Sequence, residues 1–242
     1  MPTAPPFDRV VLDCDSTLTT LEGIDELAAA GDEDLRARIA ALTDGAMDGR
    51  LSFAQVFEQR LELLRPRQLQ VREIAALYVK HAVLHGRELV SALHTLGKEV
   101  HVVSGGLRLA VQPFAGWLGV VDERRVHAVQ LRFDRHGHYA DYDRASPLAR
   151  EGGKPEVLAS LPPARTVVVG DGMTDAEAGA VADGFICYGG VVLREAVAAL
   201  ADAPVTSAHL SALLPHLCTE TELAHLSAHP RHAATVRRAR HP

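Results

Sequence analysis

Residues 166–175 read TVVVGDGMTD, a β-branched run that ends in glycine and is followed by two acids four residues apart. An apolar run without polar alternation is the pattern of a strand covered on both faces, as strands of a parallel sheet are. Gly170 and Gly172 let the chain turn sharply where the strand gives way to a helix, so Asp171 and Asp175 fall at the strand's carboxyl end. Similar runs occur at Val10 to Leu12, Val100 to Val103 and Gly184 to Cys187, with helical patterns between most of them. This order predicts an α/β chain with a Rossmann-like, doubly wound, mostly parallel sheet, whose ligand sites line the carboxyl ends of the strands. The residues from Val126 to Phe133 and from His138 to Tyr142, with Arg135, His136 and Gly137 between them, read as a β-hairpin on the sheet's flank.

The first two runs are too far apart for a single crossover helix. The intervening residues read as helices, with Phe53, Val56, Phe57, Leu61 and Leu64 at spacings of three and four and Arg60 inside the stripe. The expected organisation is a core domain over residues 1–20 and 82–217, a small all-helical cap over 21–81, and a tail over 218–242. In that tail Thr219 and Glu222 form a capping box that opens a last helix, read as solvated and frayed because arginines and histidines follow it.

Three further segments carry chemistry to the same edge. The first strand ends in Asp13-Cys14-Asp15-Ser16-Thr17, and alternation along an extended chain aims both carboxylates to one side. Two such acids can divide the work of nucleophile and acid/base. Asp-x-Asp-x-Ser/Thr alone arises by chance in roughly one protein of this length in ten, so an Asx turn after the strand stays open. Gly170-Asp171-Gly172-Met173-Thr174-Asp175 is rarer, on the order of one sequence in a few hundred, and its acids suit Mg²⁺, although an Asp-capped helix start is the alternative. Ser104-Gly105-Gly106 precedes an apolar helix read as starting at Leu107, which puts a hydroxyl and free N–H groups at an anion-binding position; a plain glycine turn is the alternative. Lys154, one of three lysines against 22 arginines, follows Gly152-Gly153 at another helix start, where an ammonium can neutralise a phosphate oxygen.

Composition sets the outer limits. The 242 residues suffice for a large apolar core, and a formal charge of −6 gives no reason to expect nucleic acid. Cys14, Cys187 and Cys218 have no zinc or disulfide spacing and read as reduced thiols, hence a cytoplasmic setting. No basic leader with an apolar run opens the chain, and no stretch approaches the apolar length a bilayer demands, so neither export nor a membrane is expected.

Together, the four segments resemble the four motifs of the haloacid dehalogenase-like superfamily, matched by Asp13/Asp15, Ser104, Lys154 and Asp171/Asp175. Within it the resemblance narrows to the phosphoserine phosphatase family. It runs from about Val10 to Leu217 through DCDSTLTTLEGIDELA, VVSGG, GGKPEVL, VVVGDGMTDAEA and FICYGGVVLREAV. The resemblance implies a Mg²⁺-dependent phosphatase for a small phosphate ester, most specifically phosphoserine. It implies Asp13 as nucleophile and Asp15 as general acid/base. It also implies Asp13, the Asp15 carbonyl and Asp171 as metal ligands, with Asp175 behind them. Ser104, Gly105, Gly106, Lys154 and Thr174 would hold phosphate, Glu22 the substrate ammonium and Arg60 its carboxylate, while Met47 and Phe53 close over the serine moiety. Each cap residue has an ordinary alternative: a capping box of Thr19 with Glu22, an Arg60 stem that snorkels to water, and Met47 and Phe53 as cap core. Thr174, Leu107 and Val129 depart from the family's commoner Asn, Phe and Asn. A different small phosphate ester, phosphoryl transfer to an alcohol, and a non-catalytic binding module are the rival readings.

Overall fold

Valine-rich segments that bury every residue form the centre of the molecule. The computed structural model describes residues 6–29, 31–47 and 52–240; the side chains of 43–47 and 53 lie outside the described residues, and with them the expectations for Met47 and Phe53. Strand β1 (Arg9–Leu12) leads into four helices, α1 (Gly23–Ala29), α2 (Glu33–Met47), α3 (Phe53–Leu64) and α4 (Gln68–Lys80). Helix α5 (Gly86–Thr95), strand β2 (Glu99–Leu107), helix α6 (Arg108–Leu118) and strand β3 (Val126–Val129) follow. Then come strands β4 (Leu131–Phe133) and β5 (Tyr139–Tyr142), helix α7 (Gly153–Ser160), strand β6 (Thr166–Gly170), helix α8 (Met173–Gly179) and strand β7 (Gly184–Tyr188). Helix α9 (Glu195–Ala198), strand β8 (Ala203–Val205) and helices α10 (Leu214–Leu217), α11 (Glu220–Ala228) and α12 (Ala233–Ala239) complete the chain.

The main sheet has six strands in the order β3-β2-β1-β6-β7-β8, every neighbouring pair parallel. This is the expected Rossmann-like fold, and its winding reverses between β1 and β6. Leu12 pairs with Val169 there, and the Asp13 N–H continues the ladder to the Val169 carbonyl at 2.9 Å. A crevice at the reversal is where α/β sheets of this kind bind ligands. Register therefore puts the residues after β1 and β6 side by side.

The structure corrects three local expectations. The run from Val126 to Phe133 divides: Val126–Val129 joins the main sheet as an edge strand beside β2, and only β4 pairs with β5 as a hairpin. Alternation in sequence reports extended backbone but not which partner a strand takes. Strand β2 runs on through Ser104–Gly106, and α6 starts at Arg108 with Leu107 as its cap, one residue later than expected, so the Ser-Gly-Gly segment precedes the helix as an irregular strand end. The third correction concerns the tail. The capping box forms as expected, with the Glu222 N–H on Thr219 Oγ1 at 3.2 Å and the Thr219 N–H on Glu222 Oε2 at 2.8 Å. The helices it opens are nevertheless packed, because Leu223, Leu226, Val236 and Ala239 are buried in the common core. Buried Lys98 donates to Glu222 Oε1 at 2.6 Å and locks α11 to the turn before β2.

Among the inserted helices, α3 buries Val56, Phe57 and Leu61 as its stripe predicts. Its capping box joins Ser52 and Gln55, and its Phe57 ring meets Tyr142 of β5 edge-on at 5.4 Å. The hairpin tip also touches this segment, the Gln68 N–H donating to the Gly137 carbonyl at 2.8 Å. Helix α4 packs against α6, with Tyr78 and Phe114 ring centroids 5.4 Å apart.

Candidate active site

Asp13 leaves β1 and Asp171 leaves β6, and both are buried at the reversal of the sheet. Between β1 and α1 the chain makes a tight turn in which the N–H groups of Thr17, Leu18 and Thr19 all approach the Cys14 carbonyl. Ser16 adopts φ 52° in this turn. A left-handed serine costs on the order of 1 kcal/mol, offset here by its hydroxyl, which donates to Glu22 Oε1 at 2.6 Å.

Lys154, in the first turn of α7, is the hub. Its ammonium donates to Asp13 Oδ1 at 2.7 Å and to Asp175 Oδ1 at 2.6 Å, all three groups being buried. Burial works against the ammonium charge, but Asp13 and Asp175 outweigh it and raise the Lys154 pKa, which keeps it charged. The Asp175 pKa is raised as well, by burial and by the Asp13 charge against the pull of Lys154. Its second oxygen accepts the Gly172 N–H at 3.0 Å.

Asp15 turns toward the other wall. Its Oδ1 accepts the Gly23 N–H at 2.8 Å and the Tyr78 hydroxyl at 2.5 Å, and its Oδ2 accepts from Ser104 Oγ at 3.3 Å. Burial, reinforced by the charges of Glu22 and Asp13, pushes its pKa up to about 7. A carboxyl poised near neutrality both gives and takes a proton, which general acid/base work requires. Ser104 Oγ also accepts the Gly106 N–H at 2.9 Å. A Cβ at Gly106 would stand 2.7 Å from Asp15 Oδ2, so only glycine permits this approach.

The oxygens of Asp13, Asp171 and Asp175 lie within 4.8 Å of one another. Three carboxylates around so small a space suit a hard divalent cation. Lys154 engages one oxygen of Asp13, and Lys154 and Gly172 engage the two of Asp175. Asp171 Oδ1 accepts the Thr17 hydroxyl at 3.1 Å, and its Oδ2 pairs with the Arg194 guanidinium.

A family model for haloacid dehalogenase-like hydrolases matches residues 10–180. The phosphoserine phosphatase of Bos taurus is 40% identical over 195 residues, which cover 78% of this chain and 85% of that one. The chain belongs to the phosphoserine phosphatase family of haloacid dehalogenase-like hydrolases. As a member of this family it is a phosphoric monoester hydrolase. The chloroplastic phosphoserine phosphatase of Arabidopsis thaliana is 37% identical over 204 residues, 81% of this chain and 67% of that one. Among solved structures, a substrate-bound phosphoserine phosphatase complex superposes with a TM-score of 0.73 at 25% identity, covering 88% of this chain and all of that one.

The fold brings the expected residues together in three hydrogen-bonded groups, Lys154 with Asp13 and Asp175, Asp15 with Ser104, and Asp171 with Thr17 and Arg194, while Gly105, Gly106 and half-buried Thr174 lie beside them in the chain. Glu22 joins through Ser16 and not through a capping box with Thr19, whose hydroxyl donates instead to the His81 carbonyl at 3.1 Å. Burial raises the Glu22 pKa, the Ser16 hydrogen bond opposing it. Arg60 pairs with Asp25 in the first turn of α1, and its Nε is buried with no hydrogen-bond partner among the described residues. That orphaned donor faces away from bulk water, contrary to a snorkelling stem. Two site residues went unread in the sequence. Arg194 lies inside the matched segment FICYGGVVLREAV but belongs to none of the four motifs, and Tyr78 sits in an ordinary amphipathic helix that gives no signal.

Proposed function

We propose that the chain hydrolyses O-phospho-L-serine to L-serine and phosphate through a phosphorylated Asp13. The observation that carries this reading is the arrangement of the Lys154 ammonium between Asp13 and Asp175, with the Asp15 carboxyl, two residues after Asp13, held near neutrality. Asp13 attacks phosphorus while Lys154, Ser104 and the Gly105 N–H hold the phosphate oxygens, with Gly106 beside them supporting Ser104 Oγ. Asp15 gives its proton to the departing serine oxygen, then takes one from the water that cleaves the acyl phosphate. Preorganised donors of this kind are worth about 3–4 kcal/mol each toward the transition state. Thr174 borders the phosphate from the start of α8.

The carboxylates of Asp13 and Asp171 and the carbonyl of Asp15 are assigned to Mg²⁺, with Asp175 behind them orienting Lys154. Bound there, the cation neutralises the charge that nucleophile and phosphate bring together. The substrate itself is read from the inserted helices. Glu22 offers a carboxyl near Asp15, and Arg60 keeps a buried Nε with no partner among the described residues, so the pair fits an ammonium and a carboxylate on one carbon. Residues 21–81 act in this reading as a cap that excludes water during transfer and reopens to release serine. Met47 and Phe53 are assigned to its closure over the substrate. The three free cysteines accord with a reducing, cytoplasmic setting.

The test compares kcat/KM for phosphoserine, phosphothreonine, phosphoethanolamine and histidinol phosphate, with and without Mg²⁺, for the natural chain and for Asp13→Asn. Phosphoserine should lead the panel, and Asp13→Asn should abolish turnover while the fold persists. Near-normal activity of Asp13→Asn removes the covalent scheme, and preference for another ester removes the substrate.

A further inference from the structure

Tyr78 is fully buried, and its hydroxyl enters the active site from the third turn of α4. No step of the chemistry described above uses it. Its partner, Asp15 Oδ1, lies 63 residues earlier in the chain, and the contact at 2.5 Å is among the closest in the site. Two features hold the phenol there. The Phe114 ring of α6 lies against it, with centroids 5.4 Å apart and planes 58° apart. Opposite, a Cβ on Gly23 would stand 2.1 Å from the Tyr78 oxygen, so the glycine that opens α1 is what admits the hydroxyl.

The two oxygens of Asp15 therefore have different surroundings. Oδ1 accepts twice, from Tyr78 and from the Gly23 N–H at 2.8 Å. Oδ2 faces the phosphate cradle, with Ser104 Oγ at 3.3 Å and Gly106 beside it. A carboxyl rotating about its Cβ–Cγ bond would exchange the two, and the two short hydrogen bonds on Oδ1 oppose that more strongly than the longer Ser104 contact on Oδ2.

We infer that Tyr78 is a positioning residue for Asp15, holding the carboxyl by Oδ1 so that Oδ2 alone faces the substrate and exchanges the proton in both half-reactions. The inference rests on Asp15 being the acid/base of the proposed function. In the first half-reaction the bond from Asp13 to phosphorus forms, the bond from phosphorus to the serine oxygen breaks, and the proton on Oδ2 passes to that oxygen. In the second, water oxygen bonds phosphorus, the Asp13 bond breaks, and the water's proton returns to Oδ2. Tyr78 donates to Oδ1 throughout and keeps its own proton. Because Tyr78 belongs to α4 and Asp15 to the turn after β1, the aim of the acid depends on how α4 seats on α6.

Tyr78→Phe retains the ring against Phe114 and removes only the hydroxyl. It should lower kcat for phosphoserine by about 10- to 100-fold, the usual cost of losing a supporting partner, with KM changed by less than about two-fold. The decisive measurement is a double-mutant cycle with Asp15→Asn. In the Asp15→Asn background Tyr78→Phe should change kcat by less than about two-fold, since the carboxyl it aims is gone. Equal losses in both backgrounds, or an unchanged kcat in the single variant, overturn the inference. Gly23→Ala, which pushes the hydroxyl away from the other side, should reproduce the kcat loss and add little to Tyr78→Phe; it decides the matter if the phenylalanine variant does not fold. Failure of the natural chain to release phosphate from phosphoserine, or full activity of Asp15→Asn, would instead count against the proposed function itself.

Discussion

Lys154 Nζ lies 2.7 Å from Asp13 Oδ1, and this single contact ties the end of β1 to the start of α7 across 141 residues of sequence. The same ammonium serves Asp175, so one buried cation balances two buried anions. Removing it leaves two carboxylates uncompensated, a change that costs about 3–5 kcal/mol in comparable buried pairs. Lys154→Met should therefore lower stability by that order in denaturant unfolding and lower kcat by at least about 10³-fold. Lys154→Arg should not restore activity, because a planar guanidinium does not fit a site built for a compact ammonium.

Arg60 supplies the test of substrate chemistry. If its guanidinium pairs with the substrate carboxylate in a desolvated cap, Arg60→Ala should cost roughly 3–5 kcal/mol, or about 10²- to 5 × 10³-fold in kcat/KM for phosphoserine. Phosphoethanolamine lacks that carboxylate and should lose far less. Parallel losses on both esters, measured side by side, would mean that Arg60 only supports the cap through Asp25.

A buried histidine and its half-buried neighbour predict acid sensitivity away from the site. His101 of β2 and His127 of β3 stack with Nδ1 of one 3.3 Å from Nε2 of the other. Burial, then the His127, Arg9 and Arg125 charges, push the His101 pKa down to about 4, against the weaker pull of Glu99. Burial and Arg108 lower that of His127 as well. A folded-state pKa below the unfolded value of about 6.5 means that the unfolded chain binds more protons. Their contribution is present above pH 6.5 and is lost as pH falls toward 4. Urea unfolding should show roughly 2 kcal/mol of lost stability over that window, and His101→Gln should reduce the slope.

The packed C-terminus makes a stability prediction opposite to that of a solvated tail. Leu226 is fully buried under α12 and the core, so Leu226→Ala should cost about 2–4 kcal/mol in thermal or urea unfolding. A frayed helix would give a change within about 0.5 kcal/mol.

The catalytic edge was legible because each of its residues lies near the end of a strand or the start of a helix, and those boundaries are marked locally. Asp13, Ser104, Lys154 and Asp171 sit where apolar runs break at glycine or aspartate, and a parallel sheet sends all such breaks to one edge. Helix α11 was placed by Thr219 and Glu222 for the same reason. Its burial was not, because arginines and histidines at the surface of a helix say nothing about what its leucines meet. The edge position of β3 depended likewise on a partner strand distant in sequence.

By itself, then, the sequence determined which side chains are available for chemistry and that a parallel sheet would carry them to one rim. Only the tertiary structure decided how they are wired. The Lys154 bridge from Asp13 to Asp175, the Arg194 contact on Asp171 and the Tyr78 hydroxyl on Asp15 all join residues from different elements. Periodicity and local propensity act over a few residues, whereas hydrogen bonds form wherever packing brings a donor to within about 3 Å of an acceptor. Tyr78 reaches Asp15 only because α4 lies on Phe114 and α1 begins with a glycine, and no local pattern encodes that coincidence.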